Sequence, residues 1–290
     1  MTHAPAGDQR AGIGSPGWRL QRELVLLAAW GPAILLQIAH PLVARGIADH
    51  STFREGQRLN RFFRTVEAML QLSFGTEDEA RAAAARINAI HDRVHGELAD
   101  GAGTFARGTP YSAHDPALLA WVHATLLVMN MRVYELYVRP LSRDDRDRYC
   151  AEATAIENYL DIPSGWLPRS AQELDDYLAT MFSSGAIAVT EVARSLARSI
   201  VYPPAPLVAR PVLALVRLVT IGLLPPAIRK DYGFSWSARR QAVLRVSAGC
   251  LRRVLPVTPP ILRYWPAARR AEVASRRGAA AGGERSPPHV

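Results

Sequence analysis

Lysine is almost missing from this 290-residue sequence: Lys230 stands alone against 34 arginines. Cysteine is nearly as scarce. Cys150 and Cys250 lie a hundred residues apart with no CxxC pair, which argues against a zinc ribbon, an iron–sulfur cluster or a disulfide framework. A reducing cytoplasm is the expected compartment. The first residues, Met1 to Pro16, are polar and rich in Gly and Ala, without the charged-then-apolar layout of a secretory signal. Uninterrupted membrane-length apolar runs are missing too. Leu24 to Val43 is broken by Gly31-Pro32, Gln37 and His40-Pro41, and Pro211 to Ile228 by Arg217 and Pro225-Pro226, so both read as buried core helices. No GxSxG elbow, Walker loop or dinucleotide glycine fingerprint occurs, and no run sustains the alternation of a strand.

Charge of negative sign runs out towards the C-terminus. The formal net charge is +9, and from Trp236 onward 11 arginines face only Glu272 and Glu284. That end suits an anionic surface such as lipid, or a solvated tail. Ser237–Arg253, with Val243, Leu244, Val246 and Leu251 among its arginines, could lie on anionic lipid or pack as an ordinary helix with a solvated arginine face. Peripheral attachment at the inner face of a membrane is the one departure from the cytoplasm that this allows. Nucleic-acid binding is not expected, because no recognisable module accompanies the arginines.

What is present is helix signal. Hydrophobic residues make up 49% of the chain, enough for a sizeable core. Apolar spacing and caps predict helices over 23–29 and 33–39 with Gly31-Pro32 as a break between them, over 53–74, and from Thr76 towards Leu98. Ala99 to Ser112, with three glycines and a proline, predicts a loop. Asp115-Pro116 opens a helix running towards Arg139-Pro140, and further helices are expected over 142–161, 170–182, 190–200, 211–224, 237–255 and 260–277. The expectation is an all-α fold with one globular multi-helix domain over 18–255. Residues 1–17 are expected to be disordered, and 256–290 to form a basic, partly disordered extension.

Six of the eight histidines fall between residues 40 and 123: His40, His50, His91, His95, His114 and His123. Neutral imidazole is the commonest protein ligand for transition metals and for haem iron, so the cluster suggests such a centre. On a helix, His91 and His95 at i and i+4 could share a metal, and His-Asp-x-x-His approaches the HExxH of zinc hydrolases with a shorter acid. His123 lies in the apolar pattern Trp121-Val122-His123-Ala124-Thr125-Leu126, and His40 in an apolar run ended by Pro41. Each is either a core histidine hydrogen-bonded to a neighbour or part of the centre. Arg61, Arg64 and Thr65 share one face of the Arg58–Leu72 stretch. They form either an exposed stripe or a set that grips carboxylates, as haem propionates are, and donates a hydroxyl to a bound oxygen ligand.

The ordered motifs Arg22-Glu23, Leu36-Gln37-Ile38-Ala39-His40-Pro41, His50-Ser51-x-Phe53, Arg61-Phe62-Phe63-Arg64-Thr65, Phe74-Gly75, Ile90-His91, Tyr111-x-Ala113-x-Asp115-Pro116 and Trp121-Val122-His123-Ala124-Thr125 resemble the DUF2236 family. This is the oxygenase MpaB and rubber oxygenase (latex-clearing protein) catalytic domain group. The likeness continues through Tyr134-Glu135, Pro140-Leu141-Ser142, Tyr149, Leu223-Leu224-Pro225 and Tyr232-Gly233, covering roughly residues 18–240.

The resemblance implies a globin-reminiscent helical core holding haem b, with dioxygen used to cleave carbon–carbon double bonds of isoprenoid chains. It implies His91 as the axial ligand of the haem iron, and Arg61 and Thr65 as the Arg-x-x-x-Thr pair beside the haem. His123 and His40 become cofactor-pocket residues. Arg64 stands where a rubber oxygenase has a lysine that reaches the iron, and a guanidinium is a poor ligand because it stays protonated. His95 is outside the pattern. The implied partners are dioxygen and a hydrophobic, isoprenoid- or lipid-like small molecule; oligomeric state does not follow. Two other readings stand beside this one: a non-catalytic haem-binding or membrane-surface protein, and a hydrolase with a non-haem metal on His91 and His95.

Overall fold

The computed structural model describes residues 11–50, 58–204 and 206–283. The expected all-α class holds. Among the described residues fourteen α-helices run in order: α1 (Pro16–Gln21), α2 (Leu27–Gln37), α3 (Pro41–His50), α4 (Arg58–Phe74), α5 (Glu77–His91), α6 (Pro116–Tyr137) and α7 (Arg143–Ala153). Then follow α8 (Ala171–Ser183), α9 (Glu191–Val201), α10 (Arg210–Gly222), α11 (Pro226–Asp231), α12 (Ala238–Val254), α13 (Pro260–Arg263) and α14 (Pro266–Gly283). Between α5 and α6 sits a small antiparallel hairpin of β1 (His95–Glu97) and β2 (Pro110–Ser112).

The core is built round α6. Asp115 caps it by accepting from the Ala117 amide at 2.9 Å, with Pro116 at the first helical position. Its buried residues (Leu118, Trp121, Leu127, Met129, Val133 and Tyr137 among them) occupy most of the circumference, the pattern of a helix enclosed by others. By length and composition α6 could cross a membrane, but here most of it is buried inside the protein. α2 packs along α6, α10 packs on α2, and α12 contacts both α6 and α10.

Three sequence expectations give way to tertiary packing. Gly31-Pro32 does not break the chain, because α2 runs through it. A Cβ at residue 31 would collide with the Thr220 side chain, so Gly31 is there to let α10 approach α2; Pro32 forfeits one helical hydrogen bond inside a buried element. The helix from Thr76, with the reciprocal Thr76–Glu79 cap, ends at His91 rather than near Leu98. β-branched Val94 and Gly96 disfavour helix, and the chain turns through Asp92–Val94 to pair His95 with Ser112. Part of the expected loop, Pro110–Ser112, is therefore strand. Finally, α10 is only half a core helix: Val212, Leu215 and Val216 on its outer face are exposed.

The chain ends interlock. Glu23, 2% exposed, accepts from Arg263 Nε at 2.9 Å and Nη2 at 2.6 Å, and the Trp18 indole donates to Glu272 at 2.9 Å. The Trp265 amide donates to the Arg22 carbonyl at 3.0 Å, and the Arg22 guanidinium lies over the Tyr264 ring. α14 packs against α4. Removing one partner of a buried charge pair leaves the other uncompensated, which typically costs about 3–5 kcal/mol. Arg263→Ala should therefore lower unfolding stability in urea by about 3 kcal/mol, and the double variant Glu23→Met/Arg263→Met by clearly less. Equal losses in the two variants would show that the pair carries no desolvation penalty.

Candidate functional site

The β-hairpin gathers the histidines that the sequence only clustered. His91 is the last residue of α5, His95 begins β1, and His114 follows β2. The His91 and His114 rings lie edge to face at 5.6 Å, and His114 Nε2 is 2.8 Å from the Asp92 carboxylate. His50, at the end of α3, bonds the His95 carbonyl through Nε2 at 3.0 Å. His40, just before α3, has its ring 5.0 Å from that of Phe105 in the hairpin loop. Leu42, Leu98, Tyr111 and Leu118 form the small apolar core that holds α3, the hairpin and the start of α6 together. Gly96 permits this: a Cβ there would meet the Tyr111 hydroxyl at 2.6 Å. That hydroxyl donates to Asp49 at 2.6 Å, and burial followed by this carboxylate pushes its pKa up to about 12.

His91 and His95 do not share a helix face. The helix ends between them and His95 is exposed on the strand, so the shared-metal geometry proposed from i, i+4 spacing is not formed. Among the described residues, no group of three or more His, Cys, Asp or Glu side chains is placed to hold a metal ion.

Three histidines stand apart electrostatically. Burial lowers the His40 and His123 pKa values to about 4, opposed at His40 by the Asp115 carboxylate. Burial also lowers that of His91, helped by His114 and opposed by Asp92. All three imidazoles are thus biased to the neutral form that can donate a nitrogen lone pair. His40 Nδ1, His91 Nδ1 and His123 Nε2 are each shut away from water with no hydrogen-bond partner. At each of His40 and His123 one ring nitrogen is therefore left unsatisfied. Buried polar atoms are paired in the great majority of cases, so each orphaned imidazole nitrogen is a place where a bound group could supply the missing partner.

Arg61, Arg64 and Thr65 lie on α4, which pairs with α5 as a helical hairpin closed at Gly75-Thr76. Arg61 and His91 are similar distances along the two helices from that closure, so backbone geometry puts α4's first turns and His91 at the same end. Arg64 and Thr65 are exposed there; the Arg61 side chain lies outside the described part of the structure. The sequence did not single out Asn130, whose Oδ1 is a further buried orphan two turns after His123 on α6. The only sequence signal for it was a polar residue in the same apolar stripe as His123.

An all-helical domain with desolvated, unpartnered imidazoles is suited to binding a prosthetic group through nitrogen. The chain belongs to the family described as ER-bound oxygenase mpaB/B'/rubber oxygenase, catalytic domain, which matches residues 18–253. Membership supports an oxygenase enzyme, with a small-molecule substrate and dioxygen as the implied reactants. No curated protein and no solved structure significantly matches the chain.

The depressed imidazoles make stability pH-dependent. Between pH 6.5 and about 4 the unfolded chain binds protons at His40 and His123 that the folded protein does not. Stability should hold above pH 6.5, fall as pH drops through that window, and lose nothing more from these groups below it. For buried His40 the loss is about 3 kcal/mol. Urea midpoints of cofactor-free protein across this range test the point: His40→Leu should flatten the dependence, and an unchanged slope would reject the assignment.

Proposed function

We propose that the protein is a haem b-dependent oxygenase that uses dioxygen on a hydrophobic, isoprenoid- or lipid-like substrate. The observation that carries the reading is the trio of desolvated, unpartnered imidazole nitrogens of His40, His91 and His123 in a chain of an oxygenase family. His91 would hold the iron through an imidazole nitrogen. When bound, haem supplies the metal site at which dioxygen is activated towards a carbon–carbon double bond. Arg61 and Arg64, at the first turns of α4, would pair with the carboxylates of the group, for which the guanidinium fork is suited. The Thr65 hydroxyl would offer a hydrogen-bond donor to dioxygen. His40 and His123 stay neutral at physiological pH, so they orient neighbours by hydrogen bonding without placing a charge in an apolar site. Arg64 would stay protonated, so its guanidinium would not itself hold the metal.

Protein purified after expression with a haem supply should show a Soret band, and His91→Ala should lose most of it while His95→Ala keeps it. The reduced protein should bind carbon monoxide with a shift of that band. Wild type that never acquires haem sinks the proposal, as does His91→Ala retaining the wild-type spectrum.

A further inference from the structure

The face of α10 and α12 turned away from the core carries aliphatic side chains that are exposed among the described residues. On α10 and the turn before it, Val208 is 86% exposed and Val212 65%, with Leu215 and Val216 completing the i, i+4, i+7, i+8 stripe. On α12, Val243 and Val246 are exposed in the same way. The two stripes meet at a shallow cleft of about 590 Å³ lined by Leu215, Leu218, Val243, Arg239 and Arg240. None of the orphaned histidines lines it.

The charge around this face has one sign. Between residues 203 and 263 there are ten basic residues and one acidic residue, Asp231. Arg229, Arg252 and Arg263 are spent inside the protein: Arg229 on the Leu224 carbonyl, Arg252 on α6 carbonyls and Arg263 on Glu23. Arg210, Arg239, Arg240 and Arg245 remain exposed around the aliphatic stripes. Self-association through this face would bring arginine against arginine, whereas an anionic bilayer offers phosphate to the arginines and acyl chains to the valines and leucines.

We infer that the α10–α12 face is a peripheral membrane-docking surface for anionic lipid. The aliphatic stripe enters the headgroup–acyl boundary while the arginines contact lipid phosphates. The inference rests on this surface alone and not on haem binding.

Sedimentation of the full chain with vesicles tests it. Vesicles of phosphatidylcholine with about one-third phosphatidylserine should pellet the wild type at low salt, and pure phosphatidylcholine should pellet roughly tenfold less or more weakly still. Raising salt should release the protein, because the phosphate contacts are screened. Val212→Ser/Leu215→Ser and Arg239→Ser/Arg245→Ser change exposed side chains, and each should weaken partitioning by roughly tenfold while melting temperature stays put. Val273→Ser, exposed on α14, should not change it. The inference fails if wild type stays in solution with anionic vesicles, if neutral vesicles bind it equally, or if the double variants bind like wild type. It also fails if wild type is a dimer that Val212→Ser/Leu215→Ser dissociates, which would make a second copy the occupant.

Discussion

The C-terminal end of α2 is buried, and its carbonyls must be paired without water. Distant parts of the chain do this. Tyr232 donates to the Leu35 carbonyl at 2.6 Å, the Trp121 indole to the Gln37 carbonyl at 3.3 Å, and the Ala188 amide to the Ala39 carbonyl at 3.0 Å. These three bonds tie α2 to α6, to the approach of α9 and to the segment after α11. They also hold the point at which the chain turns by 105° into α3, and His40 sits in that turn. The packing of the core and the placing of a site histidine thus follow from one requirement, that a helix end in an apolar interior has no unpaired oxygens.

A second constraint pulls the other way at the histidines. The fold satisfies backbone groups at the end of α2 with care, yet leaves ring nitrogens of His40, His91 and His123 unpaired. Each such atom costs roughly 1–3 kcal/mol when buried without a partner. A bound group that paired with these nitrogens would return that cost, which is what makes them the basis of the proposed cofactor site. The hairpin is tied in: Gly96 lies under Tyr111, and the Tyr111 hydroxyl on Asp49 joins β2 to α3, where Arg45 holds Asp49 at 2.6 Å from within the same helix.

Much of the helical content was legible because local rules and packing agree there. Asp115-Pro116, Ser142, Ser170 and Thr190 cap the helices they were expected to open. The rules failed where a long-range contact outweighed a local preference. Gly31 looked like a break because spacing cannot show that Thr220 leans against it. Three-residue strands such as His95–Glu97 carry no alternation to detect, so the hairpin that arranges the histidines was invisible. At the site, the family motifs pointed to His91, His40 and His123; that these three share unpaired, desolvated nitrogens required their surroundings.

By itself the sequence determined the class and the chemistry on offer. Helix caps, apolar periodicity and ordered motifs made the chain an all-α member of an oxygenase family, and the imidazoles and arginines named the groups available for a cofactor. Tertiary structure alone decided which histidines lose their water, where α5 stops and which half of α10 faces outward. Those are properties of neighbours distant in sequence. Desolvation, close backbone approach and exposure depend on what packs against a residue, and no local pattern records that.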